Sequence, residues 1–461
     1  MRQIGEIIYM GSGKKKFRLF DAILSVICVI FVAEAAAPVA AIGNSQYFWW
    51  IFMMITFLVP YGLISSELGT TFTGDGGLYD WVKKAFGRKW GTRVAWYYWI
   101  NFPLWMASLA VMFPEVIGML TGKELGTIPS IIIELVFIWI IVAISFFPVC
   151  DSVWILNGSA IIKVALALIV GVLGVYVAIT QGVANPVTVK SLLPTLDANS
   201  LSFISVIIFN FLGFEVICTF AKDMENPKKQ IPQAIIAGGL VIAFIYIFTA
   251  FGIGVAIPTS EISTSSGLID SVQLLLGQPS GWFITLVAIL FLATLFGNMV
   301  SWSLGVNSVA QYAADDGTMP SVFSKKGGKN QMPVGAAVMN GIVASIVVII
   351  APFIPNQDLF WCFFALNLVM FLLSYLPMFP AFLKLRKTDA TERVFKVPGS
   401  HAVNVITAAL PMVILAISIF FIAVPTSFDQ ETLASVLPIT IGTILFIAIG
   451  EIIILIKGKH K

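Results

Sequence analysis

The stretch from Phe209 to Ile235 reads FNFLGFEVICTFAKDMENPKKQIPQAI, and it decides the fold of this chain. It begins as an apolar membrane span, meets a glycine at Gly213 and then carries a carboxylate, Glu215, at bilayer depth. A charge at mid-membrane costs about 2.5–3.5 kcal/mol on insertion scales, so such a side chain usually faces a cavity or a partner. The neighbouring glycine lets the backbone unwind, which a solvated site tolerates and lipid does not. The stretch therefore predicts one half of a binding site in the middle of a membrane.

The composition of the whole chain agrees with a membrane location. Of its 461 residues, 58% are hydrophobic and only 11% are charged, and the mean hydropathy is +0.95. A soluble domain carries about 25% charged residues, so a soluble globular protein is excluded. The net charge of +3 says little by itself, whereas the positions of the charges are informative.

Twelve apolar runs recur along the chain, each long enough to cross the hydrocarbon core as a helix of about 20 residues. Their predicted bounds are 20–43, 48–70, 93–119, 128–148, 153–179, 201–221, 233–257, 282–312, 333–356, 358–384, 402–424 and 434–456. The predicted fold class is therefore an all-α polytopic membrane protein with 12 transmembrane helices.

The basic residues orient these spans, because cytoplasmic loops carry an excess of lysine and arginine. Of the 27 basic residues, 24 precede the first span, follow an even-numbered span or close the chain. Only Lys123 and Lys190 fall in loops on the other side, and Lys163 lies within a span. We expect both termini to lie in the cytoplasm and the chain to cross a bacterial-type plasma membrane many times.

Two loops show further order. The loop GDGGLYDWVKKAFGRKW, residues 74–90, has Leu78, Trp81, Val82 and Phe86 at helical spacing, which predicts a short amphipathic helix on the cytoplasmic face. A merely basic loop is the alternative. The segment 258–281, rich in serine and threonine, is expected on the outer side as a lid.

The first predicted span is interrupted in the same way as the sixth. It contains VAEAAAPVAAIG, residues 32–43, with Glu34 and Pro38 at mid-span. Proline frees backbone carbonyls at that depth, and a glutamate there needs a partner or a cavity. Each interrupted span opens a set of five, and paired interruptions in corresponding halves indicate an inverted-repeat transporter. Prolines also kink ordinary helices, which is the alternative.

Three stretches, taken together, resemble the amino acid–polyamine–organocation transporter family. They are GGLYDWVKKAFG at 76–87, the sixth-span residues 213–215 followed by ENPKKQIPQAI, and SWSLGVNSVAQYAADDGTMPSVF at 301–323. The resemblance implies a LeuT-like fold of two inverted five-helix repeats plus two helices. It is strongest to the bacterial amino acid/amine antiporters, such as those for glutamate/γ-aminobutyrate, arginine/agmatine, tyrosine/tyramine or agmatine/putrescine.

The resemblance divides the chain into an N-terminal cytoplasmic segment at 1–19, repeats at 20–179 and 201–384, two helices within 402–456, and a tail at 457–461. One departure from the family concerns the first break. Many members have a glycine-rich break that binds a substrate carboxylate, whereas this chain has Ala33, Glu34, Ala35, Ala36 and Ala37 there. An added anion repels a carboxylate and attracts an ammonium group, by about 4 kcal/mol at 4 Å and an effective dielectric of 20. We therefore expect amine-bearing substrates; alternatively, Glu34 points away and pairs with a structural donor.

Aromatic side chains are the next candidates for the substrate site, since ring faces attract cations. By resemblance, Trp302 is the substrate-stacking tryptophan, Phe209 the gating aromatic, and Tyr98 and Trp99 a site-facing pair. Plain helix packing is the alternative for each, because 13% of the chain is aromatic. Gly213 and the polar residues Asn210 and Asn367 complete the candidate substrate-binding set. Asn101, Asn298 and Ser301 lie at similar depth, and any of these polar side chains could instead form interhelical hydrogen bonds.

Two charged residues are candidates for coupling or bracing. In sodium-independent relatives a lysine of the fifth helix occupies the position where sodium-coupled members bind the cation, and LNGSAIIK around Lys163 resembles that stretch. The alternative is a constant cross-link between helices. For Glu215 the resemblance favours a carboxylate that braces the broken first and sixth helices over one that contacts substrate.

The sequence favours a secondary transporter of amino acids or their decarboxylated amines, acting as a sodium-independent antiporter. A proton-coupled uptake permease is the alternative, and a channel is a weaker one because no filter loop appears. We expect no enzyme activity, since His401 and His460 lie outside the spans and no catalytic or metal-binding motif is found. The expected partners are a small amino acid or amine and the lipid bilayer, with no cofactor, metal or nucleic acid, in a monomer or homodimer.

Overall fold

The computed structural model describes residues 18–32, 36–74, 76–194, 205–219, 224–262, 267–278, 280–354 and 359–458. Every regular element of more than one residue in these ranges is helical. The helices are α1 Leu19–Ile30, α2 Ala36–Ala40, α3 Ser45–Thr71, α4 Leu78–Phe86, α5 Arg88–Thr121, α6 Thr127–Ile144, α7 Val149–Gln181, α8 205–209, α9 Val216–Thr219, α10 Pro227–Ala256, α11 Gly267–Leu276, α12 Trp282–Asp315, α13 Val334–Ile350, α14 Leu359–Tyr375, α15 Met378–Thr388, α16 His401–Ala423 and α17 Gln430–Gly458.

Ten helical segments in the described part of the chain are long and apolar enough to cross a membrane. They correspond to ten of the twelve predicted spans, with α14 and α15 forming one of them. The other two predicted spans, the first and the sixth, are divided into short helices, because the winding stops within each. The chain is therefore an all-helical, multi-pass membrane protein.

Buried aromatic side chains fill the middle of the bundle. Helix α5 lies centrally and packs along α14, α12, α6 and α13. It carries the buried rings of Tyr98 and Trp105, which pack against Phe371 and Phe364 of α14, respectively. Because lipid tails are as apolar as these rings, close packing rather than the hydrophobic effect holds such helices together. This aromatic layer surrounds the two interrupted segments.

Helices α7 and α10 cross so closely that their backbones touch. A Cβ atom on Gly252 would lie 2.6 Å from the Cα of Gly171, which real Cβ atoms do not tolerate. Next to this crossing, the Thr249 hydroxyl donates a hydrogen bond of 3.3 Å to the carbonyl of Ala167. Small residues permit such close approach in membranes, where dispersion contacts and interhelical hydrogen bonds replace the hydrophobic effect. The glycines therefore fix α7 against α10.

The predicted amphipathic helix is present as α4, and it packs against the ends of the bundle where the basic loops lie, here called the basic end. Lys83 of α4 forms an ion pair with Asp316, just after α12. Burial raises the pKa of the Asp316 carboxyl, but hydrogen bonds from Lys83 and Tyr79 outweigh it and leave that pKa below its ordinary value. The contact ties the loop at residues 74–90 to the end of α12.

A second ionic contact closes the basic end. The buried Glu67 carboxylate at the end of α3 accepts two hydrogen bonds from Arg386 of α15, of 2.8 and 2.6 Å. Arg393 lies 3.5 Å away, and the backbone N–H of Val397 donates at 2.7 Å. Pairing of this kind offsets the cost of burying a carboxylate. The sequence assigned no role to Glu67.

At the opposite end, the predicted outer segment 258–281 is more ordered than a plain loop. It contains α11, whose buried residues Leu268, Ile269 and Val272 face the bundle. Gly267 at the start of α11 lies directly against Ala37 of α2. The segment therefore lies against the C-terminal half of the first predicted span, and whether it acts as a lid stays a prediction.

Candidate functional site

The first predicted span stops being helical where the sequence predicts its break. Helix α1 ends at Ile30, and Phe31 has extended backbone angles, φ −71° and ψ 115°. Helical structure resumes at Ala36. Ala33, Glu34 and Ala35 lie outside the described residues, as do the side chains of Ala36 and Pro38, so the predicted role of Glu34 stays a prediction.

The carbonyl groups freed by this break accept hydrogen bonds from side chains of three other helices, α7, α10 and α12. Lys163 of α7 donates hydrogen bonds to the carbonyls of Cys28, at 2.8 Å, and of Phe31. Asn298 of α12 donates to Cys28 and Val29, at 3.2 and 3.1 Å. These carbonyls form the negative end of the α1 dipole, which favours a cation. The Lys163 ammonium, 1% exposed, occupies that position.

Two further side chains, those of Trp302 and Tyr246, form hydrogen bonds with backbone groups at this break. The Trp302 indole N–H donates to the carbonyl of Val29 at 2.9 Å. The Tyr246 hydroxyl of α10 donates to the carbonyl of Ile30 at 3.2 Å and accepts from the N–H of Val32 at 2.7 Å. Buried backbone groups must be paired when a helix unwinds inside a membrane. The end of α1 is therefore held by hydrogen bonds from side chains of α7, α10 and α12.

The sixth predicted span breaks between α8 and α9. Residues 210–215 are non-helical, and Gly213 has φ +108°, a left-handed conformation that favours glycine. A Cβ there would lie 3.1 Å from the Trp302 ring and 3.3 Å from side-chain atoms of Val29 and Ile30. Glycine is thus required both by conformation and by space. The same contacts show that the two breaks face one another across Trp302.

Glu215 ties the sixth-span break to its surroundings. Its carboxylate, 1% exposed, accepts hydrogen bonds from the hydroxyls of Tyr61 on α3 and Tyr98 on α5, the latter at 2.8 Å. Tyr61 also accepts from the N–H of Gly213 at 3.2 Å, and its ring packs against that of Tyr375. The resemblance favoured Glu215 as a brace of the broken first and sixth spans, and this stays a prediction. The hydrogen bonds described here run to Tyr61 of the second span and Tyr98 of the third.

The predicted aromatic residues divide into two groups. Trp302 and Tyr98 lie beside the breaks, and both pack against Phe371, with ring centroids 5.2 and 6.2 Å away. Phe209 packs against the same Phe371 ring at 5.9 Å. Trp99 is not in this group, since its ring lies 4.6 Å from that of Phe323 near the basic end. The structure therefore brings three of the four predicted rings together.

The candidate amides also differ in how they are satisfied. Asn210, at the sixth-span break, is fully buried, and neither atom of its amide has a hydrogen-bond partner among the described residues. Asn367 on α14 makes one long hydrogen bond of 3.4 Å to the carbonyl of Phe364. Asn101 bonds only to carbonyls of its own helix, at Tyr97 and Tyr98. Asn210 is thus the side chain with the greatest unused hydrogen-bonding capacity at the breaks.

Sequence reasoning missed three tyrosines of this region: Tyr61, Tyr246 and Tyr375. Each lies in an apolar span with its hydroxyl at bilayer depth, and that was the available signal. The described residues contain no group of three His, Cys, Asp or Glu side chains that could hold a metal. The arrangement at the breaks provides aromatic rings, a buried carboxylate and a free amide between two broken helices, which suits a small amphipathic amine.

Comparison with known proteins gives one family and several relatives. The family model described as amino acid permease matches residues 17–449. The "Probable agmatine/putrescine antiporter AguD" of Lactococcus lactis subsp. lactis (strain IL1403) is 66% identical over 446 residues, which cover 96% of this chain and 96% of the relative. The glutamate/gamma-aminobutyrate antiporter of the same strain is 21% identical, over 89% of this chain and 84% of the relative. Polyamine transporter RMV1 of Arabidopsis thaliana is 24% identical, over 89% and 79%.

Proposed function

Because the chain belongs to the amino acid permease family, we propose that it exchanges agmatine for putrescine across the membrane by alternating access. Its relatives are transporters, so the predicted family and the assignment as an amino acid or amine antiporter rather than an enzyme are confirmed. The observation that carries the choice of substrates is the 66% identity, over nearly the whole of both chains, to a probable agmatine/putrescine antiporter.

The fold proposed is the LeuT-like one, with 12 transmembrane helices. The first and sixth spans also cross the membrane in this proposal, as broken helices that open the repeats at 20–179 and 201–384. Helices α16 and α17 follow as the two helices predicted at 402–456. Support comes from the equivalent place of the two interruptions and from their mutual contact at Gly213. The N-terminal segment 1–19 and the tail 457–461 then lie in the cytoplasm with the other basic residues, and the protein acts as a monomer or homodimer.

The substrate is proposed to bind between the two breaks. Trp302 and Phe209 supply ring faces for a cation, beside the Tyr98 ring and the unbonded Asn210 amide. Residues 33–36, including Glu34, and Asn367 complete the proposed site. Agmatine and putrescine carry no carboxylate, which agrees with a first break that contains a glutamate where relatives have glycine-rich amides. Trp99 lies apart from this group and is proposed to act through packing alone.

Lys163 and Glu215 are proposed to hold the breaks rather than to bind substrate. The Lys163 ammonium lies at the negative end of α1, where a sodium ion would otherwise bind. This position agrees with the proposed independence of transport from sodium. Glu215 orders the sixth-span break through Tyr61 and Tyr98. Both charged side chains are buried and hydrogen-bonded, so the replacement of either is expected to shift the backbone around the proposed substrate site.

A one-for-one exchange of these substrates moves no net charge. The guanidinium and the ammonium of agmatine are both protonated at pH 7, as are the two ammonium groups of putrescine. The exchange is therefore expected to be independent of membrane potential. This property separates exchange from uptake driven by the potential or by protons.

Counterflow in liposomes containing the purified chain tests the proposal. Internal putrescine is expected to accelerate the uptake of labelled agmatine, and a potassium diffusion potential is expected to leave the rate unchanged. Uptake that responds to a pH gradient but not to internal putrescine would instead establish a proton-coupled permease. A competition panel of amines against arginine and ornithine tests the substrate class, since stronger inhibition by the amino acids would overturn the preference for amines.

A further inference from the structure

A cavity lies outside the region of the two breaks, at the end of the bundle opposite to the basic end. It has a volume of about 810 Å³ and opens between α5, α6, α13 and α14. Three carboxylates line it, those of Glu115, Glu124 and Glu134, together with the single ammonium of Lys123. The end of the bundle that carries few basic residues thus holds a cavity with an excess of negative charge.

Glu134 distinguishes this cavity from an ordinary acidic surface. The residue is only 6% exposed, and it lines the cavity from the second turn of α6. It makes no hydrogen bond or ion pair with any residue in the described ranges. An unpaired carboxylate that is nearly buried is costly and normally finds a cation or a donor. Glu134 is a residue of this kind, and it lines a cavity that can admit a cation.

The wall of the cavity also connects it to the central site. Phe360, at the start of α14, lines the cavity and stacks on Phe364 with ring centroids 5.8 Å apart. Phe364 in turn lies 5.0 Å from Phe209 at the sixth-span break. A continuous series of three rings therefore lies between the acidic cavity and the proposed substrate site. A cation that moves from the cavity to that site has to pass these rings.

We propose that this cavity is an outer recognition site for amines that carry two positive charges, and that Glu134 is its principal anion. The inference rests on the proposed function and extends it from the central site to the route of entry. Clefts lined by one sign of charge concentrate ions of the opposite sign and raise their rate of association. The electrostatic attraction to the cavity is stronger for a dication than for a monocation. The cavity is therefore expected to favour diamines before they reach the central site.

The first experiment measures the field of the cavity without any transport. Ser130→Cys places a thiol on the cavity wall of the full chain, and its rates of modification by a cationic and an anionic methanethiosulfonate reagent are compared. The cationic reagent is expected to react faster, and the ratio of the two rates is expected to fall at least about threefold when Glu134→Gln is added. Glu261→Gln, an exposed carboxylate elsewhere at the same end, is the control. The parent chain, whose described cysteines are buried, gives the background.

Putrescine is the ligand probe in the same assay. It is expected to slow the cationic reagent at the introduced thiol, and the effect is expected to weaken with Glu134→Gln but not with Glu261→Gln. A rate ratio that is equal in both variants, or the absence of any protection by putrescine, would overturn the outer site. Neither result depends on whether the protein exchanges substrate.

The second experiment measures exchange. Glu134→Gln is expected to raise the external putrescine concentration for half-maximal exchange at least about threefold, with an unchanged maximal rate, and Glu261→Gln to leave both unchanged. The difference is expected to disappear at an ionic strength of about 1 M, where the Debye length is about 3 Å. Equal half-maximal concentrations for the two variants would reject the outer site. Failure of the parent chain to exchange diamines would reject the proposed function, while the labelling assay still decides the charge of the cavity.

Discussion

The two breaks at the centre of the molecule are stabilised in opposite ways. At the first, freed carbonyls at the end of α1 are bound by a buried cation, Lys163, and by Asn298, Trp302 and Tyr246. At the sixth, a buried anion, Glu215, is bound by neutral phenols, and the neighbouring Asn210 amide has no partner among the described residues. The described end of the first break, at residues 28–32, is thus bound by protein donors, whereas the Asn210 amide at the sixth break keeps unused hydrogen-bonding capacity. We infer that the end of α1 is held in place, while Asn210 is available to a ligand.

Removal of the cation at the first break is expected to have the largest effect. Lys163→Ala leaves the carbonyls of Cys28 and Phe31 without their charged donor, at a cost of about 1.5–3 kcal/mol for each bond. Exchange in liposomes is expected to fall at least about tenfold, while the variant still elutes as a folded species in size-exclusion chromatography. Lys190→Ala, in an exposed loop, is the control. Unaltered exchange kinetics would remove Lys163 from the mechanism.

Neutralisation of the anion at the sixth break comes second. Glu215→Gln keeps the shape of the side chain but weakens its charge-assisted hydrogen bonds from Tyr61 and Tyr98, by about 1 kcal/mol each. We expect a lower thermal midpoint in detergent and exchange reduced several-fold. The exposed Glu225→Gln serves as the matched control. If Glu215→Gln lowered substrate affinity with no loss of thermal stability, the carboxylate would be a substrate ligand rather than a brace.

The same substitution at each break tests the comparison most directly. Asn298→Ala removes hydrogen bonds to Cys28 and Val29 and one from Trp105, so a loss of stability of about 1–2 kcal/mol is expected. Asn210→Ala removes no hydrogen bond to a described residue, so the thermal midpoint is expected to hold while the KM for agmatine rises. Thermal unfolding and counterflow measure the two quantities. The reverse pattern would mean that the roles of the two breaks are exchanged.

The smallest effect is expected from a single indole N–H. Trp302→Phe keeps an aromatic ring beside the breaks but removes the donor to the carbonyl of Val29, worth about 0.5–1.5 kcal/mol. Trp99→Phe is a matched control, because the Trp99 N–H has no hydrogen-bond partner in the described part of the chain. A lower thermal midpoint for the first variant alone is expected in unfolding experiments. Equal midpoints would show that the hydrogen bond to Val29 adds no stability.

Hydropathy and a few polar residues were enough to predict most of the fold. The ten continuous spans follow from apolar runs, and both interruptions follow from glycine, proline and glutamate at mid-span. The partners within the bundle could not be predicted, because they depend on the rotation of each helix about its axis. In a chain that is 58% hydrophobic, the apolar pattern does not fix that rotation. Tyr246 and Glu67 gave no local signal of the groups they bind.

The fate of the predicted pair Tyr98 and Trp99 shows this limit. Adjacent residues on an α-helix point about 100° apart, since there are 3.6 residues per turn. Tyr98 therefore reaches Glu215 at the centre, while Trp99 turns toward Phe323 at the basic end. The resemblance pointed to this turn of α5, and helical geometry lets only one of the two rings face the breaks. Single residues must be assigned by direction as well as by depth.

The touching glycines of α7 and α10 have a mechanical consequence for the first break. Lys163 belongs to α7 and Tyr246 to α10, and the two side chains donate hydrogen bonds to different carbonyls at the end of α1. Because Gly171 and Gly252 bring the two backbones into contact, we expect α7 and α10 to move together. The hydrogen bonds from Lys163 and Tyr246 to the end of α1 are then expected to be kept or lost together.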